Sequence, residues 1–208
     1  LIGTFDVDFI EPENLLYQAG YLTIIDIKRR GNRLIYCLSY PNYEVKQSLT
    51  DYVLRSYHHS AIDKEKAQNR LYDCLVGNDI DCIKDVMQSH FASIPHDWYR
   101  KNNIDQYEGY YASVFYAYFA SIGIEVRVEE PTSYGKVDMA VIMPKSVYVF
   151  EFKVIEGDEG TGESLEQIKS KGYGQKYIGS GREVYLIGIE FSKTKRQIVG
   201  FCKDVLKA

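Results

Sequence analysis

The chain has 208 residues, a formal net charge of −4, 45% hydrophobic residues and 26% charged residues. This composition is ordinary for a soluble globular protein with one large domain or two small ones. The negative charge argues against avid, metal-free binding to nucleic acid, although a local basic patch acting with a metal ion is compatible with it. No apolar run approaches the roughly 18 residues that a membrane span needs, and no signal-peptide pattern opens the chain.

The four cysteines show no pattern of a metal site. Cys37, Cys74, Cys82 and Cys202 form no C-x-x-C pair, and no nearby histidine completes a zinc pattern. We therefore expect reduced, half-buried thiols, which suit a cytoplasmic protein. The first residue is leucine, so we expect the chain to be a fragment of a longer protein.

Residues 1–56 predict a helix, two strands and a second helix. Pro12 among acidic neighbours favours the start of the first helix, and Gly20 can end it. The strands are expected at residues 21–27 and 33–40, and the second helix at residues 43–55. This order resembles a winged-helix fragment. The basic turn between the strands is expected to be either a DNA contact or, more simply, a solvated hairpin tip.

Residues 57–104 predict a helical hairpin that acts as a linker. Residues 61–75 and 80–92 carry apolar side chains at helical spacing, and Gly77 breaks the pattern between them. The simplest interpretation is a packing or interaction module.

From residue 105 the pattern becomes α/β. A near-continuous apolar run at residues 183–191 predicts a central strand covered on both faces. The other expected elements are a helix at 107–122, a strand at 125–130, a hairpin at 135–154, a helix at 163–178 and an edge strand at 196–201.

The hairpin carries charges where a buried strand should have none. Asp138 interrupts its first strand, and Glu151 and Lys153 interrupt its second. Pro144 predicts a short turn between the strands, so the hairpin is antiparallel, with Asp138 and Glu151 at comparable heights. Side-chain alternation places Glu151 and Lys153 on one face.

Two converging carboxylates predict a divalent-metal site for phosphodiester chemistry. Carboxylates about 4 Å apart repel by roughly 4 kcal/mol at an effective dielectric near 20, and Mg²⁺ or Mn²⁺ removes that repulsion. Asp138 and Glu151 are the expected ligands, and the backbone carbonyl of Phe152 is a third. Lys153 is expected to orient the attacking water or to neutralise charge in the transition state. The alternative is a set of surface charges at strand ends.

The pattern of Asp138 followed by Glu151-Phe152-Lys153 resembles the PD-(D/E)XK nuclease superfamily. The resemblance covers roughly residues 105–205, with Val137 where the name-giving proline would stand. It implies a restriction-endonuclease-like mixed sheet flanked by helices.

The resemblance also adds candidates from the flanking helices. Glu108, in the first turn of its helix, is a candidate metal ligand or supporting acid, although the helix dipole alone favours an acid there. Gln167, on the helix after the second charged strand, is a candidate contact to a phosphate or to the attacking water. The role of Tyr173 stays open. The acidic, glycine-rich residues 156–162 are expected to form a mobile loop beside the site.

The front of the chain carries a second resemblance. Residues 15–24 and 40–45 are similar to the tail of a bacterial AAA-ATPase-like domain, which in that family precedes a C-terminal PD-(D/E)XK domain. The resemblance implies an upstream ATPase-like domain. This chain has no G-x-x-x-x-G-K-[ST] phosphate loop, so we expect no nucleotide hydrolysis from it.

Together these features predict a bacterial, cytoplasmic, Mg²⁺-dependent nuclease acting on DNA. The expected parts are an ATPase-like tail at 1–56, the helical hairpin at 57–104 and the nuclease-like domain at 105–208. One alternative is a catalytically inactive nuclease-fold module that binds nucleic acid or protein under the control of the ATPase-like domain. Another is a protein-interaction scaffold built on the helical hairpin.

Overall fold

A computed structural model describes residues 12–55, 61–94 and 108–206. The chain divides into two compact units, Leu1–Tyr52 and Val53–Ala208. Among the described residues, no helix has both the length and the apolar character needed to cross a lipid bilayer.

The front of the chain has the predicted order of helix, hairpin and helix. Its strands pair antiparallel, with Arg30 opposite Arg33, so the turn is the two-residue Gly31-Asn32. Arg29 and Arg30, which the sequence places in the basic turn, therefore lie at the end of strand β1. The winged-helix assignment stays a prediction. The elements are α1 (Pro12–Gln18), β1 (Thr23–Arg30), β2 (Arg33–Ser39) and α2 (Tyr43–Arg55).

The second unit is a mixed five-stranded sheet flanked by helices, which confirms the predicted architecture. The strand order is β3-β4-β5-β6-β7. Strands β5 and β6 are parallel and every other neighbouring pair is antiparallel. The helices are α3 (Ala61–Val76), α4 (Ile80–Ser93), α5 (Glu108–Ser121) and α6 (Glu163–Ser170). The strands are β3 (Glu125–Thr132), β4 (Gly135–Ile142), β5 (Ser146–Ile155), β6 (Glu183–Ser192) and β7 (Ile198–Leu206).

The sheet is covered on both faces, as the apolar strands β5 and β6 require. On one face Phe150 packs in a cluster with Leu75 of α3 and Phe115 of α5. On the other, Val149 packs with Ile168 of α6. The pair α3–α4 is therefore a packed layer of this unit that shares the sheet's core. The proposed domain boundaries at residues 56 and 104 stay a prediction.

Helix α6 is shorter than predicted. It ends at Ser170, and Gly172 has a left-handed φ of 58°, which glycine adopts at low cost. A 3-10 helix follows at Tyr173–Tyr177 and turns both of its terminal tyrosines into the core. The prediction of a continuous helix to residue 178 is wrong, because Gly172 ends the helix.

The expectation of four reduced cysteines is also wrong for one pair. Cys74 and Cys82 form a disulfide between α3 and α4, with a Cα–Cα distance of 5.7 Å. That distance lies within the normal range for disulfides, and the tight turn of the helical hairpin is what brings the two residues together. Cys37 and Cys202 are free and half-buried, as expected.

We expect Gly188→Ala to destabilise the fold by about 1–3 kcal/mol, the usual range for overpacking. A Cβ at Gly188 would lie 2.3 Å from the backbone nitrogen of Leu165, so helix α6 would have to move off strand β6. Urea unfolding measures the change. Gly157→Ala is the control, since its Cβ would meet nothing nearer than 3.9 Å. Equal stability of the two variants would contradict the close approach of α6.

Candidate functional site

Asp138 lies where strand β4 separates from strand β5. Pairing with β5 runs from Ile142 only as far as Met139, which lies opposite Phe150. On the β3 side, the position facing Asp138 is Glu129, whose left-handed φ of 47° interrupts the ladder. The Asp138 carboxylate accepts a hydrogen bond of 2.9 Å from the N–H of Phe152. The predicted hairpin thus brings this acid to β5 at the height of Glu151.

Glu151 is a buried carboxylate in the central strand, with 3% of its surface exposed. One oxygen, Oε1, accepts a hydrogen bond from Nε2 of Gln167. The other, Oε2, is buried and has no hydrogen-bond partner among the described residues. Burial, together with the negative charges of Asp138 and Glu108, raises the pKa of Glu151 to about 8, against the smaller lowering effects of the nearby backbone N–H of Asp138 and of the Lys153 ammonium. At neutral pH this carboxyl group therefore holds a proton unless a cation replaces it.

Asp138 is perturbed in the same direction. Burial raises its pKa, the N–H of Phe152 opposes that effect, and the charges of Glu108 and Glu129 add to it. Two neighbouring acids whose pKa values are both raised oppose each other's ionisation, and a nearby cation relieves that opposition. Together with the orphaned Oε2 of Glu151, this donor set fits a hard divalent cation, which prefers carboxylate oxygens.

Lys153 shares the strand face of Glu151, as alternation predicted. Its positive charge lowers the pKa of Glu151, but this effect is smaller than the opposite effects of burial and of the neighbouring acids. Its Nζ lies 3.5 Å from the carboxylate of Glu163 in the first turn of α6. The ammonium is thus held between the candidate site and the start of that helix.

Glu108 lies at the start of α5, near the end of β5. Its carboxylate accepts a 3.4 Å hydrogen bond from the N–H of Val154. Within the described ranges, no group of three or more His, Cys, Asp or Glu side chains is arranged to hold a metal ion. The structure therefore brings Asp138 and Glu151 together and leaves Glu108 in electrostatic range of both, outside a three-acid cluster. Its role as a ligand stays a prediction.

Tyr173 is a site residue whose role the sequence left open. Burial raises its pKa, the charges of Glu151 and Asp138 raise it too, and a hydrogen bond with Gln167 opposes them. Its hydroxyl packs so closely on Gly135 that a Cβ there would lie 2.7 Å away. The break in α6 is what brings this ring to the acids, and a continuous helix would have carried it elsewhere.

An open groove of about 610 Å³ leads to Asp138. It runs between helix α5 and strands β3 and β4, so one acid of the pair can be reached from the surface although Glu151 is nearly enclosed. Its lining residues are Glu108, Gly109, Ala112, Ser113, Tyr116, Val128, Glu129, Asp138 and Phe152.

Comparison with known proteins agrees with this arrangement. Residues 106–201 match the model of the PD-(D/E)XK nuclease superfamily, which supports a domain of that superfamily in this segment. The chain is also 46% identical over 206 residues to the "Uncharacterized protein in vnfD 5'region" of Azotobacter chroococcum mcd 1. The match covers 99% of this chain and 40% of that relative, so the chain spans well under half the relative's length. No solved structure matches the chain significantly.

We expect Glu151→Gln to stabilise the metal-free protein at pH 8.5 by roughly 2–4 kcal/mol, and to change it little at pH 5. The folded-state pKa of Glu151 is raised from 4.5 to about 8. The neutral form therefore stabilises the wild type at low pH, and that stability is lost as pH rises through the raised value. Glutamine stays neutral throughout.

Urea unfolding with a metal chelator at both pH values measures this difference. Glu166→Gln is the control. Glu166 is exposed on α6, where its carboxylate forms a weak 3.9 Å ion pair with Lys169. If Glu151→Gln and the wild type were equally stable at pH 8.5, ionisation of Glu151 would cost no folding stability, and the raised pKa would be contradicted.

Proposed function

We propose that the PD-(D/E)XK domain at residues 106–201 is a metal-dependent nuclease that hydrolyses phosphodiester bonds in DNA. The observation that carries this proposal is the buried, unpartnered oxygen of Glu151 beside the Asp138 carboxylate. An oxygen left without a donor in a protein interior costs free energy, and a bound cation removes that cost. The groove beside Asp138 gives a polymer access to the pair.

Each residue has a role that follows from its contacts. Asp138, Glu151 and the carbonyl of Phe152 would hold Mg²⁺ or Mn²⁺, with Glu108 as a further candidate ligand. When bound, the ion would lower the pKa of a water molecule and offset charge on the phosphate. Gln167 orients Glu151 by donating to its Oε1.

Lys153 supplies a positive charge on the strand face of Glu151. In this position its ammonium can hold the attacking water or stabilise negative charge that grows on the phosphate oxygens. Glu163 keeps the side chain directed toward the site by its 3.5 Å ion pair.

We expect Asp138→Ala to abolish cleavage while the fold is retained. The change removes one of the two carboxylates and the acceptor for the Phe152 N–H, but Asp138 is only partly buried, so the core stays filled. The assay is cleavage of labelled single- and double-stranded DNA and of RNA during titration with Mg²⁺ and Mn²⁺. Asp204→Ala, which breaks a surface ion pair of 2.8 Å with Lys169, should cleave like the wild type. Retained cleavage by Asp138→Ala would refute the site.

We expect Lys153→Met to lower kcat by about 10²–10³, the usual loss when one group that stabilises transition-state charge is removed. Methionine keeps most of the apolar stem, so folding should be unaffected. Single-turnover cleavage at saturating metal gives the rate. Lys169→Met on α6 removes a surface charge of the same sign and should leave the rate near that of the wild type. A loss of the same size in both variants would show a general charge effect and would remove Lys153 from the mechanism.

A catalytically inactive binding module is the second candidate. The observation that favours it is that the described residues hold no three-acid cluster at the site, together with the net charge of −4. Such a module would bind nucleic acid or protein through the groove and cut nothing with either metal ion. The same titration separates the two functions, because binding without product formation at every ion concentration supports the module alone.

We also infer that residues 1–56 are the tail of an ATPase-like domain that regulates the nuclease. The order of elements in residues 12–55 and the greater length of the Azotobacter relative support this inference. Cleavage by the full-length protein should then respond to ATP, and an identical rate with and without ATP would count against it.

A further inference from the structure

A second acid, Glu190, is buried in the sheet without any part in the proposed chemistry. It lies in strand β6 with 1% of its surface exposed. Unlike Glu151, it is surrounded by donors at the start of helix α6. The backbone N–H groups of Thr161, Gly162 and Ser164 and the hydroxyls of Thr161 and Ser164 all donate to its two oxygens.

Two of these donors, the N–H groups of Gly162 and Ser164, are groups that a helix leaves unpaired at its N-terminus. The N-cap residue of α6 is Gly162, which has no side chain to serve them. Glu190 reaches across from the neighbouring strand and replaces the missing cap. Burial alone would raise the pKa of Glu190, but the N–H groups of Ser164, Gly162 and Thr161 outweigh burial and lower it. The carboxylate is therefore charged and saturated with hydrogen bonds.

Close backbone contacts fix the same region. A Cβ at Gly160 would lie 2.5 Å from Cα of Gly200, and one at Gly188 would lie 2.5 Å from the hydroxyl of Ser164. Asp158 accepts hydrogen bonds of 2.9 Å from Ser192 and 2.7 Å from Thr194. The loop before α6 is thus held at both ends by these contacts.

Helix α6 carries two contacts to the candidate site within its first two turns. Glu163 forms the ion pair with Lys153, and Gln167 donates to Glu151. Both residues follow directly from the segment that Glu190 holds. A shift of the helix start would move the partners of Lys153 and of Glu151 together.

We propose that Glu190 is a positioning residue that sets helix α6, and through it Gln167 and Glu163, against Glu151 and Lys153. This inference rests on the proposed nuclease function for its catalytic consequence, but the placement of Gln167 can be measured without any activity. Glu190→Gln keeps the shape of the side chain and replaces one acceptor oxygen by an NH₂ group. That group can only donate, so it cannot accept the hydrogen bonds from the N–H groups at the start of α6.

The first arm of the test is kinetic and uses a double-mutant cycle. Glu190→Gln should lower kcat by about tenfold with KM changed by less than about twofold, as expected for a group that acts through a site residue. In a background that carries both Gln167→Ala and Glu163→Gln, the same change should lower kcat by less than about twofold, because both residues it acts through are gone. An equal loss in both backgrounds would overturn the proposal.

The second arm is NMR of the metal-free protein with ¹⁵N-labelled glutamine, the Gln167 resonance being assigned by its loss in Gln167→Ala. In the wild type, the side-chain NH₂ of Gln167 should be shifted and protected from exchange by its bond to Glu151. In Glu190→Gln it should move toward the values of exposed glutamine. An unchanged Gln167 resonance in folded Glu190→Gln would overturn the proposal, even if the wild type cuts no substrate. Cleavage by the wild type separately decides the proposed function.

A milder variant keeps the test decisive should Glu190→Gln fail to fold. Ser164→Ala removes one hydroxyl donor at 3.3 Å and leaves the backbone donors in place. It should displace the Gln167 resonance in the same direction by a smaller amount. Ser180→Ala, which changes an exposed serine outside α6 and outside the loop before it, is the matched control and should displace nothing. A Ser164→Ala spectrum identical to that of the control would overturn the proposal.

Discussion

Burial of the Glu151 carboxylate in the central strand is the constraint around which the site is organised. A carboxylate in an apolar sheet is stable only if it is protonated, hydrogen-bonded or paired with a cation. Gln167 satisfies one oxygen, and the second oxygen has no donor in the described structure. Because Asp138 lies opposite on the next strand, adding its charge makes ionisation of Glu151 still harder. A positive charge placed beside Glu151 would therefore lower the free energy of its ionised form.

The contrast with Glu190 shows what separates a reactive acid from a structural one. Both are glutamates buried on strands of the same sheet, with 3% and 1% of their surfaces exposed. Glu190 accepts hydrogen bonds from three backbone N–H groups and two hydroxyls, and its pKa is lowered. Glu151 accepts one side-chain bond, and its pKa is raised. Burial is common to both, so the donors around Glu190 and the neighbouring acids of Glu151 account for the opposite pKa shifts.

Much of this architecture was predictable from local patterns. The β4–β5 hairpin follows from two apolar runs around Pro144, and its register places Asp138 level with Glu151. Other features were missed. Glu190 interrupts an apolar strand just as Glu151 does, so the same signal was present, but its meaning depends on helix N–H groups that are distant in sequence. Tyr173 reaches the site only because Gly172 ends helix α6 early.

The sequence by itself determined the strand and helix periods, the hairpin, the comparable heights of Asp138 and Glu151, and the shared face of Glu151 and Lys153, because these depend on side-chain alternation and on short turns. Only the tertiary structure decided which buried acid is saturated and which is left short of donors. It also decided that α3 and α4 share the sheet's core and that α6 supplies Gln167 and Glu163. These outcomes depend on contacts between segments far apart in the chain, where close approach at glycines such as Gly188 and hydrogen bonding, not local pattern, fix the geometry.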